Sequence, residues 1–509
     1  MINSMWLTLV TFLPLAGSLI ILLFPKDNHK LIRGIATGFT LAVLGIAIYI
    51  WVLYSKDPTI VSATNPGMFK LVDKFVWVKL GENPLIHYHL GIDGMSMLML
   101  FLTSLLSVTA CLASFTIKER VKEYFSLFLL LETGLIGVFL SLDLVLFYVF
   151  WEVVLVPMYF LIGIWGGERR QYASIKFFIY TLVASLVMLV GILAIYFKTD
   201  TFSIAQLAKD GNVVASLGYL AIPVFLAMLF GFAVKVPSFP FHTWLPDAHV
   251  EAPAPISIML AGVLLKMGGY GMIRMSLAFF RDGDPATFIK PMGTLIAILG
   301  VVGVVYGALC ALVQKDLKKL VAYTSVNHMG FVLIAIAAFM LAPTPDTKQI
   351  ALQGAIIVMF NHGTTTGLLF LLVGYIYERT HTRQIDELPG MGSKIPVIAI
   401  MLIIASFASI GLPALSGFVG EFLSLQAGFV ARNWIAWVSI IGLVVNAGVM
   451  LWMMQRTMFG KLKEKFIDIK DASFREIIAA VPLFGFVFFI GLYPMPILSM
   501  ISNSVVGLL

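Results

Sequence analysis

The sequence has 509 residues, of which 60% are hydrophobic and 12% charged, and its mean hydropathy is +0.97. A soluble globular protein is closer to half apolar and a quarter charged, so this composition excludes a soluble enzyme. The net charge of +7 would suit a nucleic-acid-binding protein. However, the basic residues lie in short clusters between long apolar segments, which is typical of the loops of a membrane protein.

Fourteen apolar segments are long enough to cross a membrane, since about 20 apolar residues span roughly 30 Å of hydrocarbon. A longer loop separates the second segment from the third. The segments lie at 5–24, 31–53, 90–115, 124–141, 144–165, 172–197, 217–244, 252–280, 289–313, 317–341, 350–377, 395–430, 434–459 and 477–498. The sequence therefore predicts an all-α polytopic membrane protein with fourteen transmembrane helices.

Lysine and arginine are distributed unequally between the two sides of the predicted membrane domain. The loops after odd-numbered segments contain twice as many of them as the other loops. Because positive charge is retained in the cytoplasm, both termini are predicted to be non-cytoplasmic. The first segment lacks a basic n-region and is expected to be retained rather than cleaved.

Two halves of the sequence resemble each other weakly but in order. Asp143 precedes the fifth segment and Asp316 the tenth, while Pro237 and Pro240 interrupt the seventh segment and Pro413 the twelfth. Interrupted helices at matching positions are typical of transporter repeats that line a site at the membrane midplane. Because five segments separate the copies, the second is predicted to be inverted. The alternative is that the prolines only kink buried helices.

These patterns divide the chain into four predicted regions. Residues 1–123 form three N-terminal helices, and residues 124–280 form a first repeat of segments 4–8. Residues 281–460 form an inverted repeat of segments 9–13, and residues 461–509 contain the C-terminal helix. Each repeat is expected to contain one broken helix, in segments 7 and 12.

Ionisable residues inside the membrane are costly and usually face a partner or a wet cavity. Glu152 lies within the fifth segment and Lys235 at the break of the seventh. We predict that these two side chains pair, and that making or breaking the pair controls a proton. The alternative is a static buried ion pair.

A second set of ionisable residues continues across the later segments. Lys266 lies among small residues, His328 and His362 occupy two further segments, and Glu421 follows Pro413 by eight residues. Neutral histidine both accepts and donates a proton near pH 7, so these residues are predicted to form a proton-transfer row. A single histidine taken alone would more often be a packing residue. A further acidic candidate is Glu132, for which a structural role is equally plausible; Lys176 and Arg274 are expected to snorkel or cap helices.

No cofactor or metal site is expected in this chain. Its two cysteines, Cys111 and Cys310, lie in apolar runs, and the sequence contains no glycine-rich nucleotide fingerprint, Walker loop or C-x-x-C motif. His242, Asp247 and His249 do not match a common zinc spacing, and we interpret their segment as a structured loop on the cytoplasmic side.

Four motifs in order resemble the antiporter-like membrane subunits of respiratory complex I, in the branch of subunit M and mitochondrial chain 4. They are FWEVVLVPMYFLI, FAVKVPSFPFHTWLPDAHVEAP, DLKKLVAYTSVNHMGFV and LSGFVGEF. The resemblance covers almost the whole chain. It implies fourteen helices with two inverted five-helix repeats, a Glu152–Lys235 pair, Lys266 as the central lysine, and His328 and His362 as connecting residues.

The resemblance also bears on which subunit this is. Glu421 matches the subunit M pattern, whereas the sister subunits and the related multi-subunit Na+/H+ antiporters have lysine there. The chain stops soon after segment 14 and is not expected to carry the long lateral helix of the distal sister subunit.

The function implied is that of a proton-translocating membrane-arm subunit of NADH:quinone oxidoreductase in a bacterial inner membrane. NADH, FMN, iron–sulfur clusters and quinone would then be bound by partner subunits. Partners would be the other antiporter-like subunits, the redox arm and the lipid bilayer. The alternatives are a subunit of a cation/proton antiporter without a redox partner, a ferredoxin- or hydrogenase-linked relative, and a purely structural spacer.

Overall fold

The computed structural model describes residues 5–56, 69–80, 83–211 and 213–505, and most of them are helical. The terminal residues, for which a non-cytoplasmic position is predicted, lie outside the described residues. The helices of the first half are α1 (Trp6–Leu23), α2 (His29–Lys56), α3 (Gly94–Ala113), α4 (Val121–Leu140), α5 (Leu144–Val153), α6 (Leu155–Trp165), α7 (Arg170–Thr199), α8 (Ile204–Asp210), α9 (Val213–Leu217), α10 (Ala221–Lys235), α11 (Trp244–Glu251), α12 (Ala254–Met259), α13 (Leu265–Gly271) and α14 (Ala278–Phe280). Those of the second half are α15 (Lys290–Leu312), α16 (Leu317–Leu341), α17 (Pro345–Thr380), α18 (Pro396–Ile410), α19 (Ser416–Ala431), α20 (Asn433–Met458), α21 (Phe474–Leu492) and α22 (Met495–Val505).

Thirteen helical stretches in the described part of the chain are long and apolar enough to cross a membrane. Each overlaps one of the fourteen predicted segments. The remaining segment, 395–430, contains α18 and α19, of 15 and 16 residues, each shorter than the length that usually spans a bilayer. The protein is thus a multi-pass helical membrane protein, and the count of fourteen crossings stays a prediction.

A β-hairpin replaces part of the loop expected between the second and third segments, so the fold is not purely helical. Strands β1 (Lys70–Leu80) and β2 (Asn83–Ile92) pair antiparallel. The run FVWV in β1 consists of β-branched and aromatic residues, which favour a strand, but it is too short to be recognised as a membrane-spanning segment. The buried Asp73 carboxylate accepts hydrogen bonds from the backbone N–H groups of Met5 and Thr8, each at 2.9 Å, and so ties the hairpin to the start of α1.

Two transmembrane stretches depart from regular α-helix close to predicted site residues. The fifth is interrupted at Val154, between α5 and α6, and Pro157 in the next turn has no backbone N–H to donate. In the eighth, π-helical turns at Leu260–Leu264 and Met272–Leu277 flank α13. Such turns are frequent at functional sites because they rotate side chains and free carbonyl groups.

The proline-rich parts of the seventh and twelfth segments are where the helices end. Helix α10 ends at Lys235 and α11 begins at Trp244, so the segment that we expected to be a loop is partly helical. Helix α18 ends at Ile410, and Gly411 has a φ of +79°. Only glycine fits here without strain, and a Cβ on Gly411 would lie 2.6 Å from a carboxylate oxygen of Glu421.

The centre of the bundle is formed by helices that are apolar on all sides. The most apolar windows of Ala254–Phe280 and Pro345–Thr380 are 100% buried, and that of Leu317–Leu341 is 94% buried. Helices at the periphery expose large apolar side chains, as a surface in contact with lipid or a partner does. Lys266, His328 and His362 lie on the three central stretches, so any charge that they carry is enclosed by protein.

Candidate functional site

Lys266 is completely buried at the start of α13 and bonds to two groups. Its Nζ lies 2.5 Å from the carbonyl oxygen of Ala261, in the preceding π-helical turn, and 2.6 Å from Nδ1 of His362 on α17. An ammonium group only donates, so His362 Nδ1 accepts when Lys266 is charged. The lysine and the histidine are therefore in direct contact for proton transfer.

His328 on α16 continues the row from His362. The centroids of the two imidazole rings are 5.6 Å apart. His328 Nδ1 lies 2.9 Å from Oε1 of Glu421 on α19, and its Nε2 lies 3.0 Å from Oγ of Ser409 on α18. With both ring nitrogens engaged, the orientation of this imidazole is set by two helices.

A cavity of about 20 Å³ lies between the two histidines and the carboxylate. This volume holds about one water molecule. His362 Nε2, which has no hydrogen-bond partner among the described residues, belongs to the same lining. The lining is formed by His328, Val358, Asn361, His362, Thr365, Thr366, Ala408, Ser409, Gly417 and Glu421. A single water here has enough polar partners to bridge the rings.

The four predicted residues of the second set thus come together in one row, contributed by four different helices. Lys266 contacts His362, His362 faces His328 across the small cavity, and His328 contacts Glu421. Each is at most 6% exposed. The arrangement can move a proton stepwise, because the contacts at the two ends each join a donor to an acceptor and a water in the cavity can bridge the two imidazole rings.

Glu152 and Lys235 do not contact each other directly, although the structure describes both residues. Lys235 is 1% exposed at the end of α10, and its Nζ lies 5.3 Å from the ring centroid of Trp151 and 5.6 Å from that of Phe177. Lys235 Nζ and Glu152 Oε1 are both buried without a hydrogen-bond partner. Lys235 therefore rests on the residue next to Glu152, held by aromatic faces, and their pairing stays a prediction.

Glu132 lies apart from the row. It is completely buried on α4, and within the described residues neither of its carboxyl oxygens has a hydrogen-bond partner. The hydroxyl of Ser107 on α3 is also buried and unpartnered. The role of Glu132 in proton transfer stays a prediction.

Lys176 and Arg274 each form an ion pair, and the expectation that they snorkel or cap helices stays a prediction. Lys176 Nζ lies 2.7 Å from Oδ2 of Asp247 on α11. Arg274 Nη2 lies 2.6 Å from Oδ2 of Asp93, at the start of α3. An ionisable side chain inside a helical bundle usually pairs with an opposite charge, because an unpaired charge there is costly.

Sequence reasoning missed two residues around the row. Ser409 bonds to His328 but carries no sequence signal beyond its nearness to the break at Pro413. His249 was considered only as a metal ligand, whereas it is completely buried, stacks on Phe370 at 4.4 Å, and has two unpartnered ring nitrogens within the described structure. In the described residues, no group of three or more His, Cys, Asp and Glu side chains is arranged to hold a metal ion.

A chain of buried ionisable side chains across the centre of a helical bundle, with two interrupted helices beside it, is typical of proton-translocating membrane proteins. Residues 141–494 match the family model described as NADH:quinone oxidoreductase/Mrp antiporter, TM. The chain belongs to this family.

Individual relatives agree with the family over the full length. The chain is 40% identical to NADH-quinone oxidoreductase subunit M of Rhodobacter capsulatus, over 99% of this chain and 96% of that protein. It is similar in structure to a chain of respiratory complex I from Thermus thermophilus, with a TM-score of 0.83, 27% identity, and coverage of 98% of this chain and 99% of that one. A chain of the Mrp complex from Dietzia has a TM-score of 0.84 at 22% identity, covering 99% and 97%, and shares the fold.

Proposed function

We propose that this chain is a proton-translocating membrane-arm subunit of NADH:quinone oxidoreductase. Electron transfer from NADH to quinone takes place in other subunits and drives proton transfer along the row of Lys266, His362, His328 and Glu421. The observation that carries this proposal is the row of these four buried groups, with direct contacts at its two ends. In the middle of the row, the two imidazole rings face each other across a cavity that holds about one water molecule. The full-length similarity to the Rhodobacter capsulatus subunit supports the redox partner.

Glu152 and Lys235 act as the switch at the start of the row. In the arrangement described above, the Lys235 ammonium rests on Trp151, one residue from Glu152. We infer that movement of the lysine side chain brings it to the carboxylate. Removing one partner of a buried ion pair costs about 3–5 kcal/mol, which is comparable to the roughly 2.3 kcal/mol needed to move one charge against 100 mV. The free-energy change of making and breaking this pair is thus large enough to move one proton against a membrane potential of about 100 mV.

The membrane topology that accompanies this function has fourteen crossings, with α18 and α19 together forming the twelfth. Segments 4–8 and 9–13 are inverted copies. One support is that Asp143 and Asp316 cap the helices that follow them in the same way, each with Oδ1 accepting from the backbone N–H groups two and three residues later. Both termini are non-cytoplasmic, and the membrane is the bacterial inner membrane.

The partners are the sister antiporter-like subunits and a redox arm that binds NADH, FMN, iron–sulfur clusters and quinone. This chain carries two cysteines, both reduced and far apart in sequence, at Cys111 and Cys310. Ligation of an iron–sulfur cluster by cysteine needs up to four thiolates, so electron carriers are assigned to the partners.

The test of the switch uses Glu152→Gln and Lys235→Ala in the assembled complex. Both variants are expected to reduce an artificial electron acceptor with NADH at the normal rate, since the redox arm is intact, but to lose NADH-driven proton pumping into vesicles. Glu168→Gln and Lys315→Ala, at exposed positions, are matched controls that should pump normally. Full pumping by both site variants would refute the proposal.

A second candidate is a cation/proton antiporter subunit without a redox partner, which the shared fold with the Dietzia Mrp chain favours. Sodium-dependent proton exchange that does not require NADH would support it. A ferredoxin- or hydrogenase-linked complex would instead show activity with those donors alone. A structural spacer would leave the number of protons pumped per NADH unchanged in both site variants.

A further inference from the structure

Asp143 joins three separate segments immediately before α5. Its side chain is 1% exposed and its own backbone pairs with Ser203 in a single β-bridge. On the other side, Leu142 N–H donates to the carbonyl of His89 in the hairpin, at 2.8 Å. Asp143 is thus the point where the hairpin, the segment before α8 and the start of α5 meet.

The two oxygens of the Asp143 carboxylate serve different elements. Oδ1 accepts from the backbone N–H groups of Val145 and Leu146, at 2.9 and 3.3 Å, and so caps α5. Oδ2 accepts from the backbone N–H of His87 in β2, at 3.1 Å. One oxygen holds the helix and the other holds the hairpin.

We propose that Asp143 is a positioning residue for Glu152, and that a proton taken up from the non-cytoplasmic side releases its hold on the hairpin while the helix cap remains. Glu152 lies nine residues further along α5, about 14 Å at the rise of an α-helix. The side of the membrane rests on the topology given under Proposed function.

The effect of protonation follows from the fact that the two carboxylate oxygens of Asp143 accept from different elements. An ionised carboxylate accepts at both oxygens. Oδ2 accepts one hydrogen bond and Oδ1 accepts two, so protonation at Oδ2 gives up fewer bonds. A protonated Oδ2 presents an O–H group to the N–H of His87, so donor meets donor. Oδ1 keeps its lone pairs and still caps α5. Acid therefore weakens one contact selectively instead of unfolding the helix.

The pKa of Asp143 places this change in an accessible range. Burial raises it from 3.8 to about 6, although the backbone hydrogen bonds from His87, Leu146 and Val145 and the charge of Lys74 act to lower it. Because the three backbone hydrogen bonds all lower the pKa, linkage requires that protonation weakens them taken together. We assign this loss to the His87 bond, which is made to the oxygen that takes the proton. The contact is present above about pH 6 and is lost as the pH falls through this value, while the carboxyl group stays buried.

Other titratable groups lie near Asp143, and their titration must be distinguished from that of its carboxyl group. The hairpin contributes Lys74 and His87 as well as His89, whose pKa burial lowers to about 4. Lys198 lies in the last turn of α7, and Asp200 follows the end of this helix. On α5 itself, Tyr148 precedes Glu152. A transition near pH 6 distinguishes the titration of Asp143 from that of His89. A His87→Ala variant removes the imidazole but keeps the backbone N–H, so it distinguishes the titration of Asp143 from that of the His87 side chain.

The experiment measures hydrogen–deuterium exchange of residues 83–92 in the purified complex at pH 7.5 and 5.5, corrected for the intrinsic rate. In the wild type, exchange is expected to be faster at pH 5.5. Asp143→Asn keeps a good helix cap but directs an amide N–H at His87, so exchange should be fast at both pH values. Asp316→Asn, the matched cap of α16, and His87→Ala should both behave as the wild type.

The second readout is NADH-driven pumping into vesicles whose lumen, corresponding to the non-cytoplasmic side, is buffered. Between pH 7.5 and 5.5 the ionised fraction of a group with a pKa of about 6 falls by about fourfold, and wild-type pumping should fall by that factor. Asp143→Asn should show no such step. A wild-type pH response in Asp143→Asn, in either readout, overturns the proposal. The exchange readout does not require pumping, so failure of the proposed function is distinguishable from failure of this contact.

Discussion

At the scale of single residues, the row depends on donors and acceptors that alternate. Lys266 can only donate when charged, His362 accepts from it, and Glu421 accepts from His328 when that ring is protonated. A proton that leaves Lys266 leaves a neutral amine able to accept the next one. We therefore expect that these side chains can return to their starting protonation after each transfer.

Removing the charge of Glu421 tests the far end of the row. Glu421→Gln keeps the size and one acceptor oxygen, but it can no longer exchange a proton with His328. We expect proton transfer through this chain to be at least tenfold slower, and the ratio of protons pumped to NADH oxidised to fall by this chain's share, because positioned acid–base groups contribute about 100-fold or more to the rate. The measurement is acidification of vesicles against NADH consumption.

The control for this variant is Glu387→Gln. Glu387 lies at the surface, 3.1 Å from Lys465, and an exposed pair of this kind is worth about 0–1 kcal/mol. The Glu387→Gln variant should show the wild-type ratio of protons pumped to NADH oxidised. Normal pumping by Glu421→Gln would remove this residue from the path.

At the scale of helices, close backbone approach brings the row together. Helices α15 and α16 meet at glycines: a Cβ on Gly330 would lie 2.7 Å from the backbone nitrogen of Val304 and 2.8 Å from the carbonyl oxygen of Gly300. Small residues at helix contacts allow such approach in membranes. Gly330 follows His328 by two residues, so this contact also sets the depth of the imidazole in the bundle.

We expect Gly330→Ala to push α15 and α16 apart, because the two nearest atoms that the new Cβ meets are backbone atoms and cannot rotate away. Overpacking of this kind costs about 1–3 kcal/mol. The measurement is the melting temperature and yield of the assembled complex. Gly448→Ala on α20, where a Cβ meets nothing within 4 Å, is the matched control and should not lower either. An unchanged melting temperature for Gly330→Ala would show that the interface can adjust.

At the scale of the whole molecule, ionisable side chains of the row lie in the interior and apolar side chains cover the periphery. The three most enclosed helical stretches carry Lys266, His328 and His362, and the peripheral helices expose apolar side chains. A protein of this kind shields its ionisable groups from lipid with a layer of apolar helices, since an unshielded charge in hydrocarbon is costly.

Purification of the native assembly tests the function as a whole. A chain tagged at the C-terminus and extracted in mild detergent is expected to co-purify with flavin, iron–sulfur clusters and NADH:quinone reductase activity. The measurements are visible absorbance and quinone reduction. Activity with reduced ferredoxin or hydrogen alone would indicate a different donor, and partners without redox cofactors would indicate an antiporter.

Much of the fold could be predicted because transmembrane helices are encoded locally. Apolar runs, helix-breaking prolines and the rarity of charge inside them identified thirteen of the helical stretches and every residue of the row from Lys266 to Glu421. The hairpin was missed because β-strands of about ten residues lack the long apolar signal.

By itself, the sequence determined that the protein spans a membrane, where its helices are interrupted, and which ionisable residues are buried, because hydrophobicity and proline act within a few residues. Only the tertiary structure decided which of these residues touch. Lys266 and His362 are 96 residues apart, and His328 and Glu421 are 93 apart. Their contacts, the position of Lys235 on Trp151, and the ion pairs of Lys176 and Arg274 depend on how each helix is rotated and packed, which is set by the whole bundle and not by any one segment.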